Sequence, residues 1–156
     1  MGLTGLLVFL TGFVIVFGVP NVVKSSGGKK YEAVLADPLN WYAAYQYCRR
    51  QGRQLATITS QVENDGLITE LNKARGSLGI DHCYWIGLTS LANFNYWYWM
   101  TSGEPLLDFK AWDNNQPAVH NDYRRCVHTN YKSDTSWFWR TTSCTEICYF
   151  ACEYQA

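Results

Sequence analysis

Residues Trp85-Ile86-Gly87-Leu88 are the centre of a short apolar stretch, 83–88, that is typical of a buried β-strand. The chain before this stretch has the residue spacing of helices, whereas the chain after it has that of strands. We predict further strands at residues 96–100, 125–130 and 149–153. Because two helices precede a run of short strands, the sequence predicts an α+β domain rather than a βαβ fold.

The first predicted helix begins after Asp37-Pro38, which would supply an N-cap and a first-turn proline. Its apolar residues recur at i, i+3, i+4 and i+7, the spacing of one buried helix face: Trp41, Ala44, Tyr45 and Cys48. Gly52 is expected to end it. Cys48 therefore points toward the core.

The second predicted helix begins at Ser60-Gln61-Val62-Glu63, which has the pattern of a capping box. It is expected to run to about Arg75 and to end at Gly76. Its inner face should carry Leu67, Leu71 and Ala74.

The bulk composition excludes some classes of function. Lys plus Arg and Asp plus Glu balance at 13 each, so the basic surplus of a nucleic-acid binder is missing.

The three histidines, His82, His120 and His128, have no nucleophile elbow, zinc-protease motif or paired carboxylates beside them. We therefore expect no enzymatic activity.

The apolar N-terminal run predicts export. We interpret residues 1–18 as a signal peptide and 19–30 as a flexible leader, with the domain at 31–154. A membrane anchor is the alternative, because the run approaches the roughly 20 residues that span a bilayer. Lys24, Lys29 and Lys30 follow the run instead of preceding it, which favours a secreted, extracellular protein without membrane insertion after signal removal.

All six cysteines lie beyond this run, and an even number in an exported chain implies three disulfides. A zinc site is the alternative. Cys144, Cys148 and Cys152 are spaced four apart, however, without the Cys-x-x-Cys pairs that zinc modules use.

Several motifs together resemble those of the C-type lectin-like domains, especially of secreted, single-domain insect lectins. The motifs are Asn40-Trp41-Tyr42-Ala43-Ala44, Leu55-Ala56-Thr57-Ile58, Trp85-Ile86-Gly87-Leu88, Gly103-Glu104-Pro105-Leu106 with Ala111-Trp112, and Ala151-Cys152-Glu153. The resemblance implies two helices packed on small antiparallel sheets, a long loop region and stapling disulfides. It also implies the pairs Cys48–Cys152 and Cys126–Cys144, which leaves Cys83 for Cys148, and a cis bond before Pro117.

Sugar-binding members of this family hold calcium in the long loop, through carboxylate and amide oxygens. The positions that match these ligands are Gln116-Pro117-Ala118, Arg124, Arg140 and Thr141. Gln116 keeps an oxygen, Thr141 offers a weak hydroxyl, Ala118 offers nothing, and two positions are cations. We therefore expect no calcium and no other cofactor, although oxygen-bearing residues of the same loop leave a rebuilt calcium site open: Asp108, Asp113, Asn114, Asn115, Asn121 and Asp122.

If the fold is kept, Arg124 and Arg140 should converge and could hold an anion; alternatively, they pair with Asp122 and Glu146. The aromatic residues divide by the two-residue period of a strand. We assign Trp97, Trp99 and Trp112 to the core. Tyr96, Tyr98 and Phe138 form a candidate exposed patch for protein contacts.

These observations predict a secreted binding protein that recognises an extracellular protein or anionic glycan without calcium. Its degenerate site consists of the positions that match the calcium ligands, together with Asp122. The alternative is a carbohydrate-binding lectin with an altered calcium-dependent site. Oligomers are possible, but all six cysteines can pair within one chain, so a disulfide-linked dimer is not required.

Overall fold

The computed structural model describes residues 28–78, 82–118 and 123–156, with Arg124 described by its backbone alone. The elements in chain order are β1 (Lys29–Leu39), α1 (Trp41–Arg50), β2 (Gln54–Leu55), α2 (Gln61–Leu78), β3 (Tyr84–Thr89), β4 (Tyr98–Trp99), β5 (Arg124–Ser133), β6 (Ser136–Ser143) and β7 (Cys148–Gln155). The predicted α+β class is therefore confirmed. Neither helix in this part of the chain is long and apolar enough to cross a bilayer.

The strands form one mixed sheet rather than several small antiparallel sheets. Its order is β1-β7-β3-β5-β6, while β2 pairs with β7 and β4 with β3. β7 lies between β1 and β3; it is antiparallel to the first and parallel to the second. The expected antiparallel pairing is thus wrong at this one junction, because the C-terminal strand is inserted between two strands of opposite direction.

Helix α1 has the predicted buried stripe but a different N-cap. Trp41, Ala44 and Cys48 are buried. The cap is Asn40, whose side chain accepts a hydrogen bond from Ala43 N at 2.9 Å. Asp37-Pro38 instead belongs to β1, where the pairing register shifts before Leu39. An edge strand tolerates a proline at such an irregularity, because no ladder bond is lost.

Helix α2 starts as predicted and ends later. Ser60 Oγ accepts from Glu63 N at 3.2 Å, and the Glu63 carboxylate accepts from Thr59 N at 2.7 Å. The helix then continues beyond Gly76 to Leu78. An exposed glycine costs a helix about 1 kcal/mol relative to alanine, which is too little to end it.

Strand β3 is buried at all six positions and lies between the two hydrophobic clusters. Its Trp85 indole N–H donates to Leu39 O, and the Trp41 indole donates to Ile86 O, both at 2.9 Å. Both bonds satisfy buried indole groups. The first joins β3 to the end of β1, and the second fixes α1 against the sheet.

The disulfides are Cys48–Cys152, Cys83–Cys148 and Cys126–Cys144, the pairings that the resemblance implies. They join α1 to β7, the start of β3 to β7, and β5 to the segment after β6.

Two predicted strands have different lengths in the structure. The strand predicted at 96–100 is shortened to β4, and the one predicted at 125–130 is extended to β5. Strands β1 and β6 were not predicted. The predicted signal segment, residues 1–18, lies outside the described residues.

Candidate functional site

The long segment between β4 and β5 runs alongside β6. Trp139 N donates to Ala111 O at 2.7 Å, and Asp113 N donates to Trp139 O at 3.0 Å. Trp99 is 1% exposed, whereas Trp97 and Trp112 are partly buried and meet edge to face with ring centroids 5.5 Å apart. The assignment to the core is therefore correct for Trp99, while Trp97 and Trp112 pack against the core from its edge, and the packed rings hold the loop against β6.

The side-chain amide oxygen of Gln116, Oε1, is the centre of a hydrogen-bond network within the protein. It accepts from Thr141 N and Thr141 Oγ1, each at 3.0 Å, and from Ala118 N at 3.1 Å. Ala118 N also lies 3.0 Å from Thr141 Oγ1. Thr141 is buried, and the Gln116–Pro117 bond is cis, as the resemblance implies. The one retained amide oxygen thus binds the protein's own donors.

Arg140 forms an ion pair with Asp113. Arg140 Nε donates to Asp113 Oδ2 at 2.6 Å, and Nη2 contacts the same oxygen. Asn114 N donates to Asp113 Oδ1 at 2.9 Å. The Arg140 hydrogen bond, supported by the one from Asn114, holds the pKa of Asp113 below its usual range. Asp113 is therefore a carboxylate that neutralises Arg140.

The expected convergence of Arg124 and Arg140 is not supported by the strand register. Arg124 is paired with Ser143, whereas Arg140 is paired with His128, four residues further along β5. Among the described residues, the partner of Arg140 is Asp113 rather than Glu146. The Arg124 side chain and all of Asp122 lie outside the described residues.

These residues do not fit a calcium ion. Calcium takes about six to eight oxygen ligands. At this site the Gln116 oxygen already accepts three hydrogen bonds, Ala118 has no side-chain oxygen, and Arg140 is a cation. The described ranges contain no group of three or more His, Cys, Asp or Glu side chains placed for a metal. Two members of the candidate rebuilt site, Asn121 and Asp122, lie outside these ranges.

Two of the three aromatic residues expected in one patch line separate grooves, and the third, Tyr96, lines neither of them. Tyr98 lies with Trp41, Tyr42 and Tyr45 in one groove. Phe138 lies in another, with Asn130, Lys132 and Arg140. Tyr96 is 65% exposed. The expected shared patch is wrong, because Phe138 lies on β6, which pairs with β5, whereas Tyr98 lies on β4, which pairs with β3.

The sequence did not predict which residues surround Arg140. In the structure these are Asp113, Asn130 and Lys132. One signal could have found part of this group. Ser136–Ser143 alternates buried Trp137 and Trp139 with more exposed Phe138 and Arg140, the two-residue period of a half-buried strand.

Comparisons with known proteins agree on one family. A family model described as the Lectin C-type domain matches residues 37–154. "Lectin subunit alpha" of Sarcophaga peregrina is 25% identical over 154 residues, covering 96% of this chain, which spans only 53% of that protein. One chain of a snaclec coagulation factor IX/factor X-binding protein of Protobothrops flavoviridis is 28% identical over 163 residues, with 97% of this chain and 99% of that one covered.

A solved structure supports the same conclusion. The C-type lectin domain of murine dendritic cell inhibitory receptor 2, in complex with N-glycan, superposes with a TM-score of 0.68 at 25% identity, covering 82% of this chain and 91% of that one. The family match spans more than half of the sequence, and the fold, the cis Gln116–Pro117 bond and the disulfide framework agree with it. This chain therefore belongs to the C-type lectin domain family, whose members are binding proteins rather than enzymes.

Proposed function

We propose that the protein is a secreted C-type lectin-like binding module that recognises an extracellular protein or acidic glycan without calcium. The hydrogen bonds to Gln116 Oε1 carry this proposal, since the amide oxygen that would coordinate calcium is bound by Thr141 and Ala118. A calcium ion would have to displace these bonds, which disfavours metal binding because the donors of Thr141 and Ala118 would lose their acceptor.

Recognition of a protein ligand has a parallel among the relatives. The name of the snaclec states that it binds coagulation factors, so a chain with 28% identity to this one is part of a protein that takes protein ligands. Export is part of the proposal, with residues 1–18 as signal, a leader from residue 19 that ends where β1 begins at Lys29, and the binding domain after it. Three disulfides support it, because such bonds form and persist in oxidising compartments.

Calorimetric titration of the purified protein with calcium tests the proposal. We expect no saturable heat up to millimolar calcium, and the same thermal unfolding curve in calcium as in chelator, because a ligand that binds only the native state would stabilise it. A glycan array read in calcium and in chelator should give the same pattern.

Calcium uptake below millimolar concentration that is abolished by Gln116→Ala would contradict the proposal. The protein would then be a calcium-dependent lectin with an altered site. A matched control is Gln46→Ala, an exposed glutamine on α1 at the other groove. It should leave any calcium heat unchanged.

A further inference from the structure

A small polar groove lies on the outer face of the β5–β6 hairpin, next to the Gln116 hydrogen-bond network. Phe138 and Arg140 alternate with the buried Trp137 and Trp139, so their side chains lie on the face away from the aromatic core. The groove has a volume of about 220 Å³, and Asp113, Asn130, Tyr131, Lys132, Phe138 and Arg140 line it. A cavity of this size admits one small ring or side chain.

The groove offers an aromatic ring beside polar groups. Phe138 is half-buried and is directly opposite Asn130 in the strand ladder. The face of an aromatic ring is electron-rich and attracts the weakly positive C–H groups of an apolar surface. A pyranose ring has such a C–H face and carries hydroxyl groups at its edge. An aromatic ring bordered by an amide and charged side chains matches both parts of a sugar.

The charges of the groove do not cancel. Lys132 and Arg140 contribute two positive charges and Asp113 one negative charge, which leaves one positive charge in excess (2 − 1 = 1). Lys132 is close enough to help lower the pKa of Asp113, so all three charges act in one place. The adjacent His128 is neutral near pH 7, because burial lowers its pKa to about 4. A ligand with a single negative charge complements this arrangement.

Lys132 is the cation available to such a ligand. Within the described ranges, Arg140 Nε and Nη2 both contact Asp113 Oδ2, whereas Lys132 Nζ lies over the Phe138 ring, 4.6 Å from its centroid. Lys132 is exposed, and its four-carbon chain is flexible. The ammonium can therefore move from the ring face to an anion while a sugar ring occupies the face that it leaves.

We propose that this groove binds a single acidic sugar, with Phe138 under the sugar ring, Lys132 on its carboxylate or sulfate, and the Asp113–Arg140 pair fixing the wall. The inference deepens the proposed function and rests on it for recognition without calcium. Apart from Arg140, it uses none of the positions that match the family's calcium ligands, and it takes Asp113 as the partner of Arg140 rather than as a metal ligand. The acidic group is recognised as a negative charge, so a sialic acid and a sulfated sugar are two sources of the same chemistry.

The test is titration of the full chain, in chelator, with lactose, sialyllactose and sulfated lactose, followed by amide chemical shifts. We expect the two acidic sugars to shift signals of β5 and β6 and to bind about three- to five-fold more tightly than lactose, since one exposed charge contact is worth up to about a factor of five. Binding should weaken as salt is raised, because the contact is exposed to solvent. Comparison of the two acidic sugars identifies the preferred source.

Substitutions localise the effect. Lys132→Gln should weaken binding of the acidic sugars by about three- to five-fold and leave that of lactose unchanged. Phe138→Leu should weaken all three. The matched controls are Lys30→Gln, an exposed lysine on β1, and Tyr96→Leu, an exposed ring in the β3–β4 connection. Neither should change binding, and the exposed position of Lys132 leaves its variant able to fold.

Equal affinity for lactose and the acidic sugars would overturn the inference, as would an equal loss in Lys30→Gln. Binding of a sulfotyrosine peptide but of neither acidic sugar would also overturn it and would identify a protein ligand. The two proposals fail separately. Calcium uptake at Gln116 would refute the proposed function, but the sugar titrations in chelator would still test the groove. Sugar titrations without any chemical-shift change would refute only the proposal for the groove.

Discussion

Gln116 is the residue whose side-chain oxygen is most fully used within the described part of this C-type lectin domain's long loop. Its side chain is one of the oxygen donors that a calcium site needs, yet Thr141 and Ala118 bind that oxygen three times. Thr141 is thus a structural partner of Gln116. Its hydroxyl stabilises the cis Gln116–Pro117 loop against β6.

Thr141→Val should lower the free energy of unfolding by about 1 kcal/mol or more, because the substitution removes a buried hydroxyl that bonds Gln116. Thr57→Val is the matched control. Thr57 is similarly buried, but its hydroxyl has no hydrogen-bond partner among the described residues. That variant should be neutral or more stable. Urea unfolding measures both, and an equal loss in the two variants would show that the Gln116 network contributes nothing.

Among the elements, β3 depends on a residue without a side chain. Gly87 N donates to Ala56 O at 2.8 Å, and a Cβ on Gly87 would lie 3.1 Å from Leu55 O and 3.3 Å from Ala56 O. Both oxygens belong to backbone that β7 and β3 hold in place. The segment 55–56 therefore cannot move away from an added methyl group without losing these bonds.

Gly87→Ala should therefore destabilise the domain by about 1 to 3 kcal/mol, the usual cost of overpacking. Gly76→Ala is the control, because nothing lies within 4 Å of a Cβ added there and the residue is helical. It should raise stability by about 0.5 to 1 kcal/mol. Thermal unfolding of both variants gives the comparison, and a Gly87→Ala variant as stable as the native protein would contradict this account of β3.

At the scale of the whole molecule, Glu153 joins the two ends of the described chain. Its Oε2 accepts from Thr57 N at 2.6 Å and lies 3.9 Å from Lys29 Nζ, which also contacts Glu63 at 2.8 Å. Burial raises the pKa of Glu153 from 4.5 to about 7. The folded protein thus binds this proton more tightly than the unfolded chain. The Glu153 contribution to stability is complete below pH 4.5 and is lost as pH rises to about 7.

Glu153→Gln should remove this loss, which is up to about 3 kcal/mol, and make the variant more stable than the native protein above pH 7. Burial also acts to raise the pKa of Glu63, but hydrogen bonds from Lys29 and Thr59 outweigh it and lower that pKa, which gives the opposite slope. The difference between variant and native protein isolates Glu153. Unfolding free energies measured from pH 4 to 8 test it, and a constant difference over this range would refute the assignment.

The third disulfide also acts on the whole molecule, because Cys83 and Cys148 are 65 residues apart and join the parallel strands β3 and β7. Replacing both by alanine should lower the free energy of unfolding by about 2 to 4 kcal/mol, mainly by releasing the unfolded chain. The two other disulfides should keep the variant folded. Urea unfolding measures the loss, and an unchanged midpoint would show that the bond adds no stability.

The sequence by itself determined the α+β class, the buried stripe of α1, the central strand β3 and the family, because spacing along the chain reports which side chains face a core. Local patterns misplaced the start of α1, since Asp37-Pro38 also suits the irregular edge strand that the sheet draws it into. Only the tertiary structure decided the site. Thr141 bonds Gln116, 25 residues before it, and Arg140 bonds Asp113, 27 residues before it. The partner of a polar atom depends on which distant segments fold together, and no local spacing records that.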